Sequence, residues 1–323
     1  MASTANRLKS ICQKESMGNK YLKTVLVVGN GFDLDLKLKT RYSDFAESKE
    51  WNDLYSQTEI VKKTPLLQYL YGKRFIDQWF DIEKALYDYG VIKIDGSYAH
   101  SIENDKEGYR MICDAFRDYL KKHVYNQSHS IDDTAAGRLL KSICNLNNYI
   151  DNRIYSFNYT PINLYMKVLG SETCNPQISY IHGDIVTDSV ILGIEDVDIK
   201  KLSPGYSFLY KSNNINYKPS DFASDIVAAK NVVIFGHSLN LMDFGYFKEY
   251  FKVLLTNSDK KRCLTIITKD ILSRISLLDN LRIAGISVVD MFAHTNVKII
   301  LTDDIGNKST ESDEIFCKLL KNI

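Results

Sequence analysis

Short, continuous apolar runs recur along the chain, and glycine or polar residues follow most of them. The first run, Thr24–Val28, is typical of a strand that is covered on both faces of a parallel sheet. The same pattern predicts strands over residues 154–157, 178–181, 232–235, 264–267, 286–289 and 297–301. Apolar spacing of three and four predicts helices over 161–169, 244–255 and 271–281. Strands that alternate with helices predict an α/β fold, a Rossmann-like parallel sheet flanked by helices.

Residues 42–150 lack such runs and show helical periodicity instead. The clearest stripe contains Met111, Ile112, Ala115, Phe116, Tyr119, Leu120 and Val124, and a second contains Trp79, Ile82 and Leu86. We therefore predict a large helical insertion, or cap, over 42–150, within a single α/β domain spanning 24–323. The apolar pattern over residues 87–107 is less periodic, and we predict a loop there. We predict that residues 1–23 form a polar leader.

Composition and charge exclude several classes of protein. Lys and Arg number 41 against 40 Asp and Glu, so no overall basic field exists to attract nucleic acid, and this argues against a nucleic-acid partner. No apolar run reaches the roughly 18–20 residues of a membrane span, so we expect no membrane association. The six cysteines form no CxxC pair, which predicts reduced thiols in the cytoplasm. The histidines lack HxxxH spacing, and we predict no metal.

Polar residues follow four of the predicted strands at the point where each strand ends. These segments are Gly29–Asp33, Asn158–Thr160, His182–Asp184 and Gly236–Asn240, with Asp243 just beyond the last. Ligands of open parallel sheets bind outside the carboxyl ends of the strands. The four segments therefore predict one ligand crevice at a single edge of the sheet.

The first segment is a glycine turn between a strand and a helix. Gly29 and Gly31 permit a tight turn and the approach of a ligand to the backbone N–H groups. Leu34 stands where the dinucleotide fingerprint has its third glycine, so only half of that fingerprint is present. Asp33 either caps the helix or binds ribose hydroxyls. A turn with a purely structural purpose explains the same residues.

Asn158 and His182 are the candidates for catalysis. An amide at a strand end orients a water or a ribose hydroxyl, or it bonds its own backbone at a turn. A histidine at the same edge accepts a proton from a hydroxyl or water, although a lone histidine also serves structural roles. Thr160 and Pro161 match the N-cap and first position of a helix.

Other candidate motifs have simpler explanations. Gly236 and Ser238 resemble part of the G-x-S-x-G nucleophile elbow, but Asn240 replaces the second glycine and argues against a serine hydrolase. Asp243 is predicted to cap the following helix. Asp81 and Glu83 are two residues apart, so they do not share a helix face and form a poor carboxylate pair, and Trp79 beside them is expected in the core.

A set of motifs in fixed order carries a family resemblance. They are GNGFD at Gly29–Asp33, then Thr40, Tyr42 and Phe45, Trp79–Glu83, FNYT at Phe157–Thr160, IHG at Ile181–Gly183, LG at Leu192–Gly193, and GHSLN at Gly236–Asn240 with Asp243. From about Val25 to its end, the chain resembles the bacteriophage abortive-infection AbiH family. That family resembles, at fold level, the sirtuin-like NAD-binding group, whose members in phage defence deplete NAD.

The resemblance implies an anti-phage protein that binds NAD or a related nucleotide as ligand or substrate and needs no other cofactor. Asn158 and His182 match the catalytic pair of the sirtuin-like pattern. The ligand-binding residues implied are Gly29, Asn30, Gly31, Phe32, Asp33, Thr160, Gly183, Gly236, His237, Ser238 and Asp243. In this chain Thr160 replaces the carboxylate of the sirtuin-like N-Y-D motif.

Three functions remain open from the sequence. The first is hydrolysis of NAD at the nicotinamide glycosidic bond, with a phage-derived trigger as a further partner. The second is a non-catalytic nucleotide sensor of phage defence, in which binding alone shifts the helical insertion. The third is a nuclease-type toxin. The near-zero net charge and the lack of an acidic metal motif argue against it.

Overall fold

The computed structural model describes most of the chain after residue 23. The described residues are 24–76, 81–92, 102–125, 131–144, 152–168, 176–196, 202–218, 220–256 and 262–322. The predicted leader, residues 1–23, lies outside them, as does Trp79.

A six-stranded parallel sheet forms the centre of the described structure. Its strands are β1 (Thr24–Val28), β2 (Asn152–Ser156), β3 (Gln177–Tyr180), β4 (Asn231–Phe235), β5 (Cys263–Thr268) and β6 (Asn296–Leu301). They lie in the order β3-β2-β1-β4-β5-β6, and every neighbouring pair is parallel. The predicted α/β, Rossmann-like fold is therefore confirmed. Along the chain, the strands are added outward from β1 to β3 on one side and from β4 to β6 on the other. The topological switch point, where such folds bind ligands, therefore lies between β1 and β4.

Helices flank the sheet. They are α1 (Asn30–Asp35), α2 (Tyr42–Ala46), α3 (Lys49–Ser56), α4 (Thr58–Lys63), α5 (Pro65–Ile76), α6 (Ile82–Ile92), α7 (Ile102–Tyr125), α8 (Ala135–Cys144), α9 (Ile162–Val168), α10 (Phe222–Ala228), α11 (Lys248–Thr256), α12 (Ile271–Ile283), α13 (Val288–His294) and α14 (Glu311–Asn322). Short 3₁₀ turns include Ser207–Leu209, Lys211–Asn213 and Phe244–Tyr246. Among the described residues, no helix is both long and apolar enough to cross a membrane.

The sheet separates two apolar clusters because side chains alternate between its faces. Leu26 and Val28 of β1 belong to the cluster that includes the helices between β1 and β2. Val25 and Val27 belong to the cluster on the opposite face, which includes α10 and α11. Both faces are thus covered, which explains why β1 is apolar at every one of these positions.

One buried carboxylate, that of Asp105, connects the helices between β1 and β2 to a later part of the chain through hydrogen bonds. Asp105 of α7 accepts hydrogen bonds from the Leu66 backbone N–H at 2.9 Å and from the Tyr89 and Tyr206 hydroxyls at 2.7 Å each. Burial strengthens such charge-assisted bonds. This network joins α5, α6 and α7 to the segment that carries Tyr206 and, five residues later, Lys211.

Two predicted elements are wrong. The apolar run over 286–289 is not a strand, because Ser287 caps α13 by accepting a hydrogen bond from the Asp290 N–H at 3.3 Å. The loop predicted over 87–107 is helical at both described ends, in α6 and α7. A four-residue apolar run cannot distinguish strand from helix by periodicity alone.

Strand register brings four strand ends to one edge of the sheet. Val28 pairs with Ser156 on one side and Phe235 on the other, and Ser156 pairs with Tyr180. The residues that follow these four strands therefore leave the sheet at the same level. The glycine turn after β1, residues 158–160, His182 and the segment from Gly236 begin there.

Gly236 holds the turns after β1 and β4 against each other. Its φ is +65°, and a Cβ atom there would lie 2.3 Å from the Phe32 nitrogen. The Gly31 N–H also donates to the Gly236 carbonyl at 2.9 Å. Only glycine satisfies both the backbone conformation and this close approach.

We predict that Gly236→Ala lowers the free energy of unfolding by roughly 3–5 kcal/mol, because the methyl group meets backbone atoms. Gly285→Ala is the matched control, since Gly285 has φ +83° and a Cβ atom there would have no neighbouring atom within 4 Å. That control should lose about 1 kcal/mol through backbone strain alone. Denaturant unfolding measures both, and equal losses would refute the steric account.

Candidate functional site

A cavity of about 190 Å³ lies at the carboxyl edge of the sheet, beside the β1–β4 switch point. Ten predicted site residues line it: Gly29, Asn30, Asp33, Asn158, Thr160, His182, Gly236, His237, Ser238 and Asp243. The other predicted residues do not. Phe32 is a core residue that packs edge-on against Phe235, Gly31 packs against Gly236, and Gly183 packs against Ser189 at φ +77°.

The glycine turn serves the fold more than it serves a ligand. A Cβ atom on Gly29 would lie 2.7 Å from the His237 Cα, so the glycine permits close contact between two turns. The N–H groups of Gly29, Gly31 and Phe32 donate to Phe235, Gly236 and Gly29 carbonyls, each at 2.9 Å. These three donors are consequently not free to bind phosphate, and the predicted approach of a ligand to them has no support here.

Asp33 forms a buried network with residues after β2. Its carboxylate accepts hydrogen bonds from Asn158 Nδ2 at 2.9 Å and from the Thr160 hydroxyl at 2.8 Å. Asn158 Nδ2 also donates to the Gly29 carbonyl at 2.9 Å. Asp33 therefore does not cap α1, and Asn158 does not bond its own backbone through this nitrogen. Asn158 Oδ1 keeps no hydrogen-bond partner within the described structure.

Burial dominates the ionisation of Asp33. It raises the pKa of this carboxyl to about 7, although the hydrogen bonds from Thr160 and Asn158 act in the opposite direction. The cavity thus contains a carboxyl group that titrates near neutral pH.

His182 is held between a carboxylate and an ammonium group. It is 4% exposed, and its Nε2 lies 3.1 Å from both Glu195 Oε1 and Lys211 Nζ. Burial, followed by the charge of Lys211, lowers the pKa of His182 to about 3, while Asp243 opposes the shift. The imidazole is therefore neutral at physiological pH.

Lys211 is the centre of the charged cluster. Its ammonium is buried, with Glu83 Oε1 at 3.1 Å, Glu195 Oε1 at 3.7 Å and Asp243 Oδ1 at 3.8 Å. Burial lowers the pKa of Lys211, but these three carboxylates together outweigh it and raise the pKa above its usual value. The lysine stays charged and links α6, the turn after β3 and the segment after β4.

His237 and Asp243 form a second pair beside Lys211. His237 Nδ1 accepts the Leu239 N–H at 3.0 Å, so a neutral ring carries its proton on Nε2, which lies 3.6 Å from Asp243 Oδ2. The Asp243 side chain makes no capping bond, so its predicted role as a helix cap is wrong. Its Oδ1 is a buried acceptor without a hydrogen-bond donor in the described structure.

The helical insertion supplies one wall of the cavity. Tyr42, Asp81, Glu83, Phe116 and Leu120 all line it. Both carboxylates dismissed on their spacing are therefore part of the site. They need not share a helix face, because Asp81 precedes α6 and bonds the Lys84 N–H at 3.1 Å, while Glu83 lies within α6.

Burial also raises the pKa of Glu83 to about 7, against the influence of Lys211 and with the help of Asp243 and Asp81. Burial raises the pKa of Asp81 as well. Negative charge is therefore in excess around this cavity, and part of it is suppressed by protonation at neutral pH.

Sequence reasoning missed Lys211 and Glu195. Neither follows a strand, and both come from the irregular segment after β3, where Ile194 and Tyr210 form an isolated parallel bridge. The Lys211 N–H donates to the Ile194 carbonyl at 2.9 Å, which brings the two residues together. The LG motif just before Glu195 was a local signal, but it carries no information about a partner sixteen residues away.

A metal ion is the alternative occupant for part of this cluster. His182, Glu195 and Asp243 place one ligand atom each within 4.8 Å of one another. The Lys211 ammonium lies within 3.8 Å of all three of these atoms. It supplies the positive charge that a metal would bring, so the cluster is compensated by the chain's own cation.

We predict that Asp33→Asn changes how stability depends on pH. The wild-type carboxyl is protonated more readily when folded, so the stability it contributes is complete below about pH 4 and is lost as pH rises towards 7. From pH 5 to pH 8, the unfolding free energy of the wild type should fall by about 3 kcal/mol relative to that of Asp33→Asn. Asp279→Asn, on the exposed side of α12, is the control. A pH-independent difference would contradict the assigned pKa.

We predict that Lys211→Met costs about 3–5 kcal/mol in unfolding free energy, because it leaves buried carboxylates without a cation. Glu83→Gln should recover part of this loss in the double variant, since it removes one of those charges. The same lysine substitution should raise the pKa of His182, which imidazole NMR titration measures. Additive losses in the double-mutant cycle would show that the two side chains are not coupled.

Comparison with known proteins identifies the family of the chain. Residues 25–265 match the family model described as Bacteriophage abortive infection AbiH. A search of curated proteins finds no match. The matched region includes β1 from Val25 onward, β2–β4, the helical insertion and every residue named above as lining the cavity. Since it covers well over half of the sequence, the chain belongs to the AbiH family, which indicates a function in bacteriophage abortive infection.

Proposed function

We propose that this protein acts in the cytoplasm against phage by binding NAD, or a related nucleotide, and hydrolysing the bond between nicotinamide and ribose. One observation carries the proposal: Asn158 and His182 line a single cavity together with the carboxyl groups of Asp33, Asp81 and Glu83. Carboxylates stabilise the positive charge that develops on a sugar when its glycosidic bond breaks.

The reaction breaks the bond between the pyridinium nitrogen and ribose C1′. Nicotinamide leaves as a neutral molecule with the bonding electron pair, and the positive charge passes to the ribosyl ring. Water then adds to C1′ and releases one proton. Asn158 Oδ1, which lacks a partner in the described structure, would accept a hydrogen bond from a ribose hydroxyl or the water, while Nδ2 stays fixed by Gly29 and Asp33.

The proton acceptor is better assigned to Glu83 than to His182. A general base works best when its pKa lies near the operating pH. Glu83 meets this condition, whereas the lowered pKa of His182 makes its imidazole a weak base. We assign His182 to positioning the water as a neutral hydrogen-bonding group.

A nucleotide sensor is the second candidate, and a specific feature favours it. The cavity lies between the sheet edge and the helical insertion, which contributes Tyr42, Phe116 and Leu120 to its wall. A ligand that touches both parts shifts the insertion without any reaction. Such a sensor would bind NAD or ADP-ribose and leave NAD intact even after addition of a phage-derived trigger.

We expect purified protein, alone or with lysate of phage-infected cells, to convert NAD to nicotinamide and ADP-ribose. Asn158→Ala and Glu83→Gln should each reduce the rate by about 10²–10⁴-fold. His182→Ala should reduce it as well, while Asp279→Asn should not. Chromatography of the products measures the reaction, and thermal unfolding of each variant separates loss of the fold from loss of chemistry.

Equal rates in the wild type and the three cavity variants would contradict the catalytic roles. Calorimetric binding of NAD without turnover, in the presence of infected-cell lysate, would replace the hydrolase with the sensor. Degradation of nucleic acid under the same conditions would favour the nuclease instead.

A further inference from the structure

The cavity wall carries several acidic groups, and no lysine or arginine is among the described residues that line it. Asp33, Asp81, Glu83 and Asp243 all line the cavity. The two histidines of the wall have pKa values lowered by burial and are neutral. The nearest ammonium, Lys211, lies behind the wall and is already surrounded by carboxylates, so the cavity has a surplus of negative charge.

Aromatic rings complete the same wall. Tyr42, Phe116, Phe157 and Tyr159 line the cavity, and Phe116 meets Tyr159 edge-to-face at a centroid distance of 5.6 Å. Faces of aromatic rings attract cations, and the attraction increases when the cation is desolvated. Carboxylates and aromatic rings around a small cavity therefore form a site for a flat cation.

The volume of the cavity suits a fragment of a nucleotide better than a complete dinucleotide. A cavity of roughly 150 Å³ binds benzene in another protein, and the present one measures about 190 Å³. A substituted six-membered ring fits this volume, whereas a complete dinucleotide needs the larger pockets typical of whole ligands. The phosphates would therefore lie outside the cavity, where the engaged N–H groups of the glycine turn do not have to bind them.

We infer that this cavity binds the positively charged pyridinium ring of an oxidised nicotinamide nucleotide and discriminates against the neutral, reduced form. The inference rests on the proposed function, of which it specifies the substrate class. An anionic or neutral ring would leave the surplus carboxylates uncompensated.

The test uses 1-methylnicotinamide, a pyridinium cation without a scissile glycosidic bond, and neutral nicotinamide. We expect NMR titration of the full chain to show that the cation binds about tenfold more tightly. NAD should likewise bind more tightly than NADH. Asp81→Asn and Glu83→Gln should each reduce the preference for the cation several-fold, and the exposed Asp279→Asn should not change it.

The Asp81→Asn variant should keep the fold, because its side-chain oxygen can still accept the hydrogen bond that the Lys84 N–H donates to Asp81. Equal affinity for the charged and neutral probes, no binding of either, or a preference unchanged in both cavity variants would overturn the inference. NAD hydrolysis with equal affinities would leave the proposed function standing without the inference. A preference for the cation without hydrolysis of NAD would support the inference and remove the hydrolase.

Discussion

The buried ammonium of Lys211 is the interaction on which the candidate site depends. Three carboxylates, from α6, from the segment after β3 and from the segment after β4, lie within 3.8 Å of it. Without that charge, their mutual repulsion in a poorly hydrated place would force them apart or protonate them. Lys211 thus joins the helical insertion to the sheet edge, and its charge adds to the effect of burial in keeping His182 neutral.

The sheet edge itself follows from signals that are local in the sequence. Short apolar runs mark the strands, and glycine or polar residues, from Gly29 to His237, follow four of the strands within two residues. Parallel register then aligns these ends without further information. This is why the fold and most residues of one cavity wall could be predicted, while Phe32 and Gly183, assigned from motif membership alone, turned out to be packing residues.

The opposite wall could not be predicted because its partners are remote in the sequence. Glu83 meets Lys211 across 128 positions, and the meeting depends on the Ile194–Tyr210 bridge and on the hydroxyls that bind Asp105. No periodicity or short motif encodes such an encounter. The spacing argument that dismissed Asp81 and Glu83 assumed one regular helix, whereas the helix begins between them at Ile82.

The two walls differ in chemistry, and this difference connects the candidate functions. The sheet edge presents a fixed amide, Asn158, whose geometry does not depend on the insertion, while the insertion presents Asp81 and Glu83. In the proposed function, a cationic ring between them would lower the energetic cost of ionising Glu83. Sensing and hydrolysis therefore require the same first step. They diverge only afterwards, when a water either reaches ribose C1′ beside Glu83 or is kept away from it.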